Sequence, residues 1–149
     1  MTNIQGITDD YLEKATPKSG EFSKDPDFKD KNGEEKTAEW LYNTFGGNIT
    51  LLAENKPDGV TNPDYLWNGK LWDLKTPQSI NGLDKRVRHG LHQIANNSGG
   101  IVVDIKKMNV RIEAIIEKIN ERINSSAQDN LDVIICKDLV LLKVLRYKK

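Results

Sequence analysis

The sequence predicts an α/β fold in which a central mixed β-sheet is flanked by helices. Three observations carry that expectation. Runs such as "IVVDI", "LDVIIC" and "LVLLKVLRY" read as strands, other stretches repeat apolar residues at helical spacing, and the two kinds of segment interleave along the chain. With 149 residues the chain is of one-domain size and can bury a sizeable core.

Residues 1–32 are polar, charged and broken by Pro17, Gly20 and Pro26, so they read as a weakly ordered leader or the end of a preceding module, with the folded domain over 33–149. From Gly33 the pattern changes. "GEEKTAEWLYNTFGG" sets Ala38, Leu41, Tyr42 and Phe45 at helical spacing and stops on Gly46-Gly47. "NITLLAE" reads as a strand, "NKPDGVTN" as a loop, and residues 62–77 as a hairpin. Ser79 to Asn97 reads as a helix with an apolar stripe of Ile80, Leu83, Val87, Leu91 and Ile94, interrupted by Gly90, which costs a helix about 1 kcal/mol relative to alanine. "NNSGG" closes that helix and "IVVDI" follows as a short buried strand. "NVRIEAIIEKINERIN" is an amphipathic helix through Ile112, Ile115, Ile116, Ile119 and Ile123, and two final strands join at Lys137-Asp138.

Charge and cysteine content narrow the class. Lys plus Arg and Asp plus Glu both number 22, so net charge neither favours nor excludes nucleic acid as a partner. Residues 1–35 hold nine acids against five lysines, which leaves the remainder mildly basic, most sharply in "KRVRHGLH". The single Cys136 excludes an internal disulfide or a cysteine metal cluster and reads as a small buried hydrophobe. No apolar run approaches the ~20 residues of a membrane span, and the start lacks a signal-peptide core.

The stretch "NPDYLWNGKLWDLKTP" carries the chemistry. Asn68-Gly69 between two extended runs is a hairpin signal, supplying the positive φ angles of a type I′ turn. A two-residue loop sets Trp67 opposite Lys70, Leu66 opposite Leu71, Tyr65 opposite Trp72 and Asp64 opposite Asp73. Alternation then points Asp73 and Lys75 to one face, with Asp64 joining them from the partner strand. Like charges across a ladder repel, so the pair implies a solvated edge or a cation between the carboxylates, and a hard divalent ion such as Mg²⁺ is the natural candidate. Glu34 shares the inward stripe of its helix and is a further acid for the same patch; the other reading is a first-turn glutamate favourable to the helix dipole. Trp67 and Trp72 fall on the opposite face, where core packing is the better reading than stacking of RNA bases, and Trp40 lies beside the apolar stripe of the first helix.

"NPDYLWNGKLWDLK" resembles the PD-(D/E)xK nuclease signature, with Pro63-Asp64 as its first half and Asp73-Leu74-Lys75 as its second. The other Pro-Asp pairs, Pro26-Asp27 and Pro57-Asp58, lack a turn-defined partner strand. The order "GEEKTAEWL", "NPDYLWNGKLWDLKTP", "KRVRHGLHQI", "GGIVVDI" is similar to the C-terminal tRNase domain of contact-dependent inhibition (CdiA-type) and other polymorphic toxins, over about residues 33–145. The resemblance implies a PD-(D/E)xK, restriction-endonuclease-like core. It implies Asp64 and Asp73 as ligands of Mg²⁺ or Mn²⁺, Glu34 as a further ligand or water-positioning acid, and Lys75 as the catalytic lysine. It also implies RNA, in particular tRNA, as substrate, a cognate immunity protein as partner, and action in the cytoplasm of a target bacterial cell after delivery.

Residue chemistry agrees with those roles, since phosphodiester hydrolysis needs an activated water and neutralisation of charge on the phosphate. Lysine can serve by orienting or deprotonating the water or as a cation, and the sequence leaves both open. Around the acids, Gln93 matches a position in the resembled family that reaches a phosphate or a water, with an ordinary solvated helix glutamine as the alternative. Arg86 and Arg88 are candidates for backbone contacts, with ordinary solvated surface as the alternative. His89 and His92 are candidate substrate contacts, and Thr76 either assists the phosphate or ends the strand. The competing functions are a DNA endonuclease of the same superfamily and a non-catalytic nucleic-acid-binding module.

Overall fold

The computed structural model describes residues 2–54, 61–128 and 130–149. It contains β1 (Asn3–Gly6), α1 (Thr8–Lys14), β2 (Phe22–Lys24), α2 (Glu34–Thr44), β3 (Ile49–Leu51), β4 (Tyr65–Trp67), β5 (Lys70–Lys75), α3 (Ile80–Ile94), β6 (Ser98–Asp104), α4 (Ile112–Asn124), β7 (Leu131–Lys137) and β8 (Val140–Lys148). Most of the stretch read as the loop "NKPDGVTN", including Pro57-Asp58, lies outside the described residues.

All the strands join one mixed eight-stranded sheet in the order β1-β8-β7-β6-β5-β4-β3-β2. Its centre, β5-β6-β7, is parallel because α3 and α4 serve as the crossovers between those strands. The outer pairs are antiparallel apart from β2 and β3, which run parallel. Fully buried Ile101, Val103, Val133 and Ile135 meet Leu83, Val87, Ile94, Ile115, Ile119 and Ile123 of α3 and α4 on one face. On the other face, Ile49, Tyr65, Trp67, Trp72, Leu74 and Val102 pack against Ala38, Leu41 and Phe45 from α2 and its C-terminal end. Each buried Ile or Leu contributes roughly 1.5–3 kcal/mol, so these two stripes bind both helical layers to the sheet.

The helices follow the sequence signals. Ser79 caps α3 by accepting a hydrogen bond from Gly82 N at 3.0 Å, and the stripe read from the sequence is buried except for partly buried Ile80. The β4–β5 hairpin turns on Asn68 (φ 49°) and Gly69 (φ 81°), with Trp67 paired to Lys70, Leu66 to Leu71 and Tyr65 to Trp72.

Several expectations are corrected. The segment read as a weakly ordered leader supplies β1, α1 and β2, and β1 and β2 form the two edges of the sheet. It escapes sequence reading because its elements are short and polar: β1 is exposed throughout and α1 has no buried residue. "NNSGG" does more than close the helix, because Ser98-Gly99-Gly100 opens β6 ahead of the strand expected from "IVVDI". The glycines are there because the indole of Trp72 covers them, and a side chain at either would collide with that ring. The final hairpin turns one residue later than expected, on Asp138 and Leu139, both at positive φ. Last, the β4–β5 ladder ends at Tyr65–Trp72, because Asp64 N donates to Trp72 O at 3.1 Å while Asp64 O accepts from Leu52 N at 3.0 Å. Asp64 is therefore not the ladder partner of Asp73.

Candidate active site

Asp73 and Lys75 point from β5 toward α3, two residues apart on the same face, as strand alternation requires. Both are buried, Asp73 at 2% and Lys75 at 9% exposure, in a position where ionised side chains are rarely found without partners. Lys75 Nζ lies 2.8 Å from Asp73 Oδ2. The distance is that of an ion pair, but the angles do not make a hydrogen bond, and Oδ2 is left without a hydrogen-bond partner. A buried carboxylate oxygen in that condition invites a further ligand.

Asp64 approaches from just before β4. Its Oδ2 accepts from Leu74 N at 2.7 Å, which draws the half-buried carboxylate across the hairpin to Asp73. Burial first, and then the charge of Asp73 and a hydrogen bond with it, push the Asp64 carboxyl up to about 9. A carboxyl held toward its protonated form beside a second carboxylate marks a place where a cation would also serve. Glu34 stays outside this contact. It opens α2, which packs on the opposite sheet face, and its Oε2 accepts from Lys31 N at 3.1 Å. Burial raises its pKa, and it acts on Asp64 through its charge, as the smallest of the causes there. Among the described residues no group of three or more His, Cys, Asp and Glu is arranged to hold a metal. What is present fits a hard ion bound by two carboxylates, Asp64 and Asp73, with phosphate and water completing its shell.

Around this core α3 supplies a polar chain. His89 Nδ1 sits 2.8 Å from Lys75 Nζ, and His89 Nε2 sits 3.1 Å from Gln93 Nε2. Gln93 Oε1 accepts from the backbone N–H of Asn62, which ties the segment before Asp64 to α3. Burial, then the Lys75 charge, hold His89 below the ordinary imidazole range. The link between His89 and Lys75 escaped sequence reading, although both the helical position of His89 and the strand position of Lys75 were legible. Only the packing of α3 on β5 reveals it. Gly90 lets the helix come close, since an added Cβ would lie 3.0 Å from Ile101 Cδ1 and 3.5 Å from Lys75 Cε.

The remaining candidates lie farther out. Arg86, Arg88 and His92 are solvent-exposed on α3, and Thr76 is half-buried just past the end of β5. Trp67 and Trp72 are buried at 4% and 5% exposure on the face away from the acids. Cys136 is buried among the same side chains, and burial pushes its thiol up to about 12, which leaves it inert. A cavity of about 680 Å³ opens near the β4–β5 turn, walled by Tyr11, Trp67, Lys70, Trp72 and Arg146, and holds none of the acids above.

Fold and site together define an α/β domain with a two-carboxylate and lysine centre at the end of a hairpin, backed by a helix. Residues 61–138 match the family model described as the contact-dependent growth inhibition CdiA C-terminal domain. That match spans more than half of the chain, and the chain belongs to this family. Among solved structures, a chain of the "CdiA-CT/CdiI toxin and immunity complex from Burkholderia pseudomallei" is similar, with 22% identity, a TM-score of 0.49, and coverage of 81% of this chain and 98% of that one. No curated protein gives a significant match. No helix among the described residues is long and apolar enough to cross a membrane.

Proposed function

We propose that the domain is a metal-dependent endoribonuclease of PD-(D/E)xK type that cleaves tRNA as the toxin of a contact-dependent inhibition system. The single observation that carries this reading is the convergence of Asp64, Asp73 and Lys75, with Asp64 drawn across the hairpin by Leu74 N at 2.7 Å and the lysine nitrogen 2.8 Å from Asp73 Oδ2. Asp64 and Asp73 would hold Mg²⁺ or Mn²⁺, which supplies charge neutralisation at the phosphate and a more acidic water. Lys75 lies beside the scissile phosphate and handles the proton or the charge of the attacking water. Glu34, already engaged by Lys31 N, orients water toward the pair instead of binding the ion. Exposed Arg86, Arg88 and His92 extend the surface along α3 on which an RNA backbone can lie, and Thr76 borders the phosphate position.

Family membership supports the toxin role. A domain that arrests growth has to be neutralised in its producer, so a cognate immunity protein is its partner, and the cytoplasm of the target cell is where tRNA would be met. The test is incubation with total tRNA and with plasmid DNA, with and without Mg²⁺ or Mn²⁺. The expected outcome is metal-dependent tRNA cleavage that disappears in Asp73→Ala and with chelator. Cleavage of plasmid with intact tRNA would make the domain a DNA endonuclease, and binding without cleavage of either would make it a nucleic-acid-binding module.

A further inference from the structure

The cavity beside the β4–β5 turn is built from groups that the acid pair does not use. It lies on the sheet face of Trp67 and Trp72 and is bordered by Lys70, the first residue of β5. Lys75 ends that strand on the other face, roughly 16 Å along it, so the two places are separate. A volume of about 680 Å³ is that of a small-molecule pocket.

Its walls are aromatic and its unused polar groups are donors. Trp72 is 5% exposed and lines the cavity, yet its indole N–H has no acceptor among the described residues, whereas that of Trp67 donates to Gly46 O at 3.0 Å. A Cβ at Gly99 would collide with both Trp72 Nε1 and Lys70 Cβ, so the N–H, the lysine and a bare stretch of backbone meet at one spot on the wall. Asn68 Oδ1 accepts from Asn48 N at 2.9 Å, which leaves the NH2 group of Asn68 to donate. The charges are distributed in the same sense. Asp132 is held by Arg146 and Tyr11, and Asp10 by Lys14, while Lys70 and Lys148 have no acid within ion-pair distance among the described residues.

We propose that this cavity binds a nucleoside phosphate, with the phosphate at Lys70 and Lys148 and an acceptor edge of the base at Trp72 N–H and the Asn68 amide. A phosphate monoester carries close to two negative charges at neutral pH, which two unpaired lysines answer. A base such as guanine adds the N7 and O6 acceptors on a flat ring that suits walls made of Phe45, Trp67 and Trp72. Inorganic phosphate would leave the indole N–H and the aromatic wall unused. Nothing in this assignment depends on Asp64, Asp73 or Lys75.

Proton–nitrogen NMR of the full, labelled chain without divalent metal resolves the indole N–H signals, and Trp72→Phe assigns the one that matters. Titration with GMP should move the Trp72 signal saturably. In the exposed double variant Lys70→Ala/Lys148→Ala, with its melting temperature as control for folding, the dissociation constant should rise about tenfold or more. A single-stranded RNA oligonucleotide separates the sources of the ligand. Saturation by RNA at lower concentration than by GMP makes the occupant a nucleotide within a strand, and saturation by GMP alone makes it a free nucleotide. A Trp72 signal that GMP does not move, an equal response to inorganic phosphate, or an unchanged dissociation constant in the double variant overturns the proposal. So does a signal moved by an acidic peptide and not by GMP, which would make the cavity a protein-docking site. The titration needs no cleavage, so a chain that cleaves no nucleic acid overturns the nuclease reading and leaves this result intact.

Discussion

At the scale of single residues, the carboxyl pair makes a demand that its neighbours meet only in part. Asp64 has one backbone donor, from Leu74, and no cation at hydrogen-bond distance among the described residues, so burial and the charge of Asp73 hold its carboxyl toward the protonated form. Its folded-state value of about 9 lies above the ~3.9 of an unfolded aspartate. A group raised in this way contributes stability that is complete below about pH 4 and lost as pH rises toward 9. Asp64→Asn should therefore flatten the pH dependence of the metal-free protein over that window and raise its melting temperature at pH 8. Since Asp64 is only half-buried, solvent screening limits the gain to on the order of 1–2 kcal/mol, or roughly 2–8 °C for a chain of this size. Mg²⁺ should raise the melting temperature of the wild type at pH 8 and leave Asp64→Asn unchanged. Thermal melts at pH 4 and pH 8, with and without the ion, check both points. A variant that melts below the wild type at pH 8 would contradict the raised Asp64 carboxyl.

Among the elements, the hairpin was legible because its determinants are local. Asn68-Gly69 fixes the turn, the turn fixes the register, and alternation separates Asp73 and Lys75 from Trp67 and Trp72. What depends on layers meeting was not legible. Glu34 has the right spacing on its helix, but α2 belongs to the other face of the sheet, and spacing carries no information about that. Gly99-Gly100 looks like a breaker until the ring of Trp72 is known to lie over it, and Gly90 looks like a defect in α3 until Lys75 and Ile101 are found beneath it. Gly90 yields a graded prediction. In Gly90→Ala, the ~1 kcal/mol of helix propensity gained offsets the tight Cβ contact at Ile101 Cδ1, so stability should stay within about 1 kcal/mol of the wild type. Gly90→Leu overfills the same space and should cost about 1–3 kcal/mol. Denaturant titration of the two variants checks the order, and a Leu variant as stable as the wild type would show that α3 does not press on β5 there.

For the whole molecule, the N-terminal segment acts as a clasp. The sheet begins at β1 and ends at β2, so a stretch of 22 residues (3–24) covers both open edges, with α1 lying between them. Its grip is polar and long-range. Tyr11 Oη donates to Asp132 Oδ2 at 2.5 Å, Arg146 holds the same carboxylate through Nε at 2.8 Å and a second nitrogen at 3.0 Å, and Ile7 N donates to Val144 O at 2.8 Å. The ring of Tyr11 adds an edge-on contact with Phe45, with centroids 5.5 Å apart, and so ties the segment to the core beneath α2. None of the residues in the clasp belongs to the site built by Asp64, Asp73 and Lys75, yet its loss would leave strands β3 and β8 with unpaired edges, a template for pairing between copies. Tyr11→Phe, which leaves the ring but removes the hydrogen bond to a buried carboxylate, should cost about 1–3 kcal/mol while sparing the site. Deleting residues 1–24 should go further and turn the peak of the full chain in size exclusion into aggregate, because two edges are uncovered at once. A deleted chain that elutes without aggregate and melts with the full chain would show that the edges are protected without the clasp.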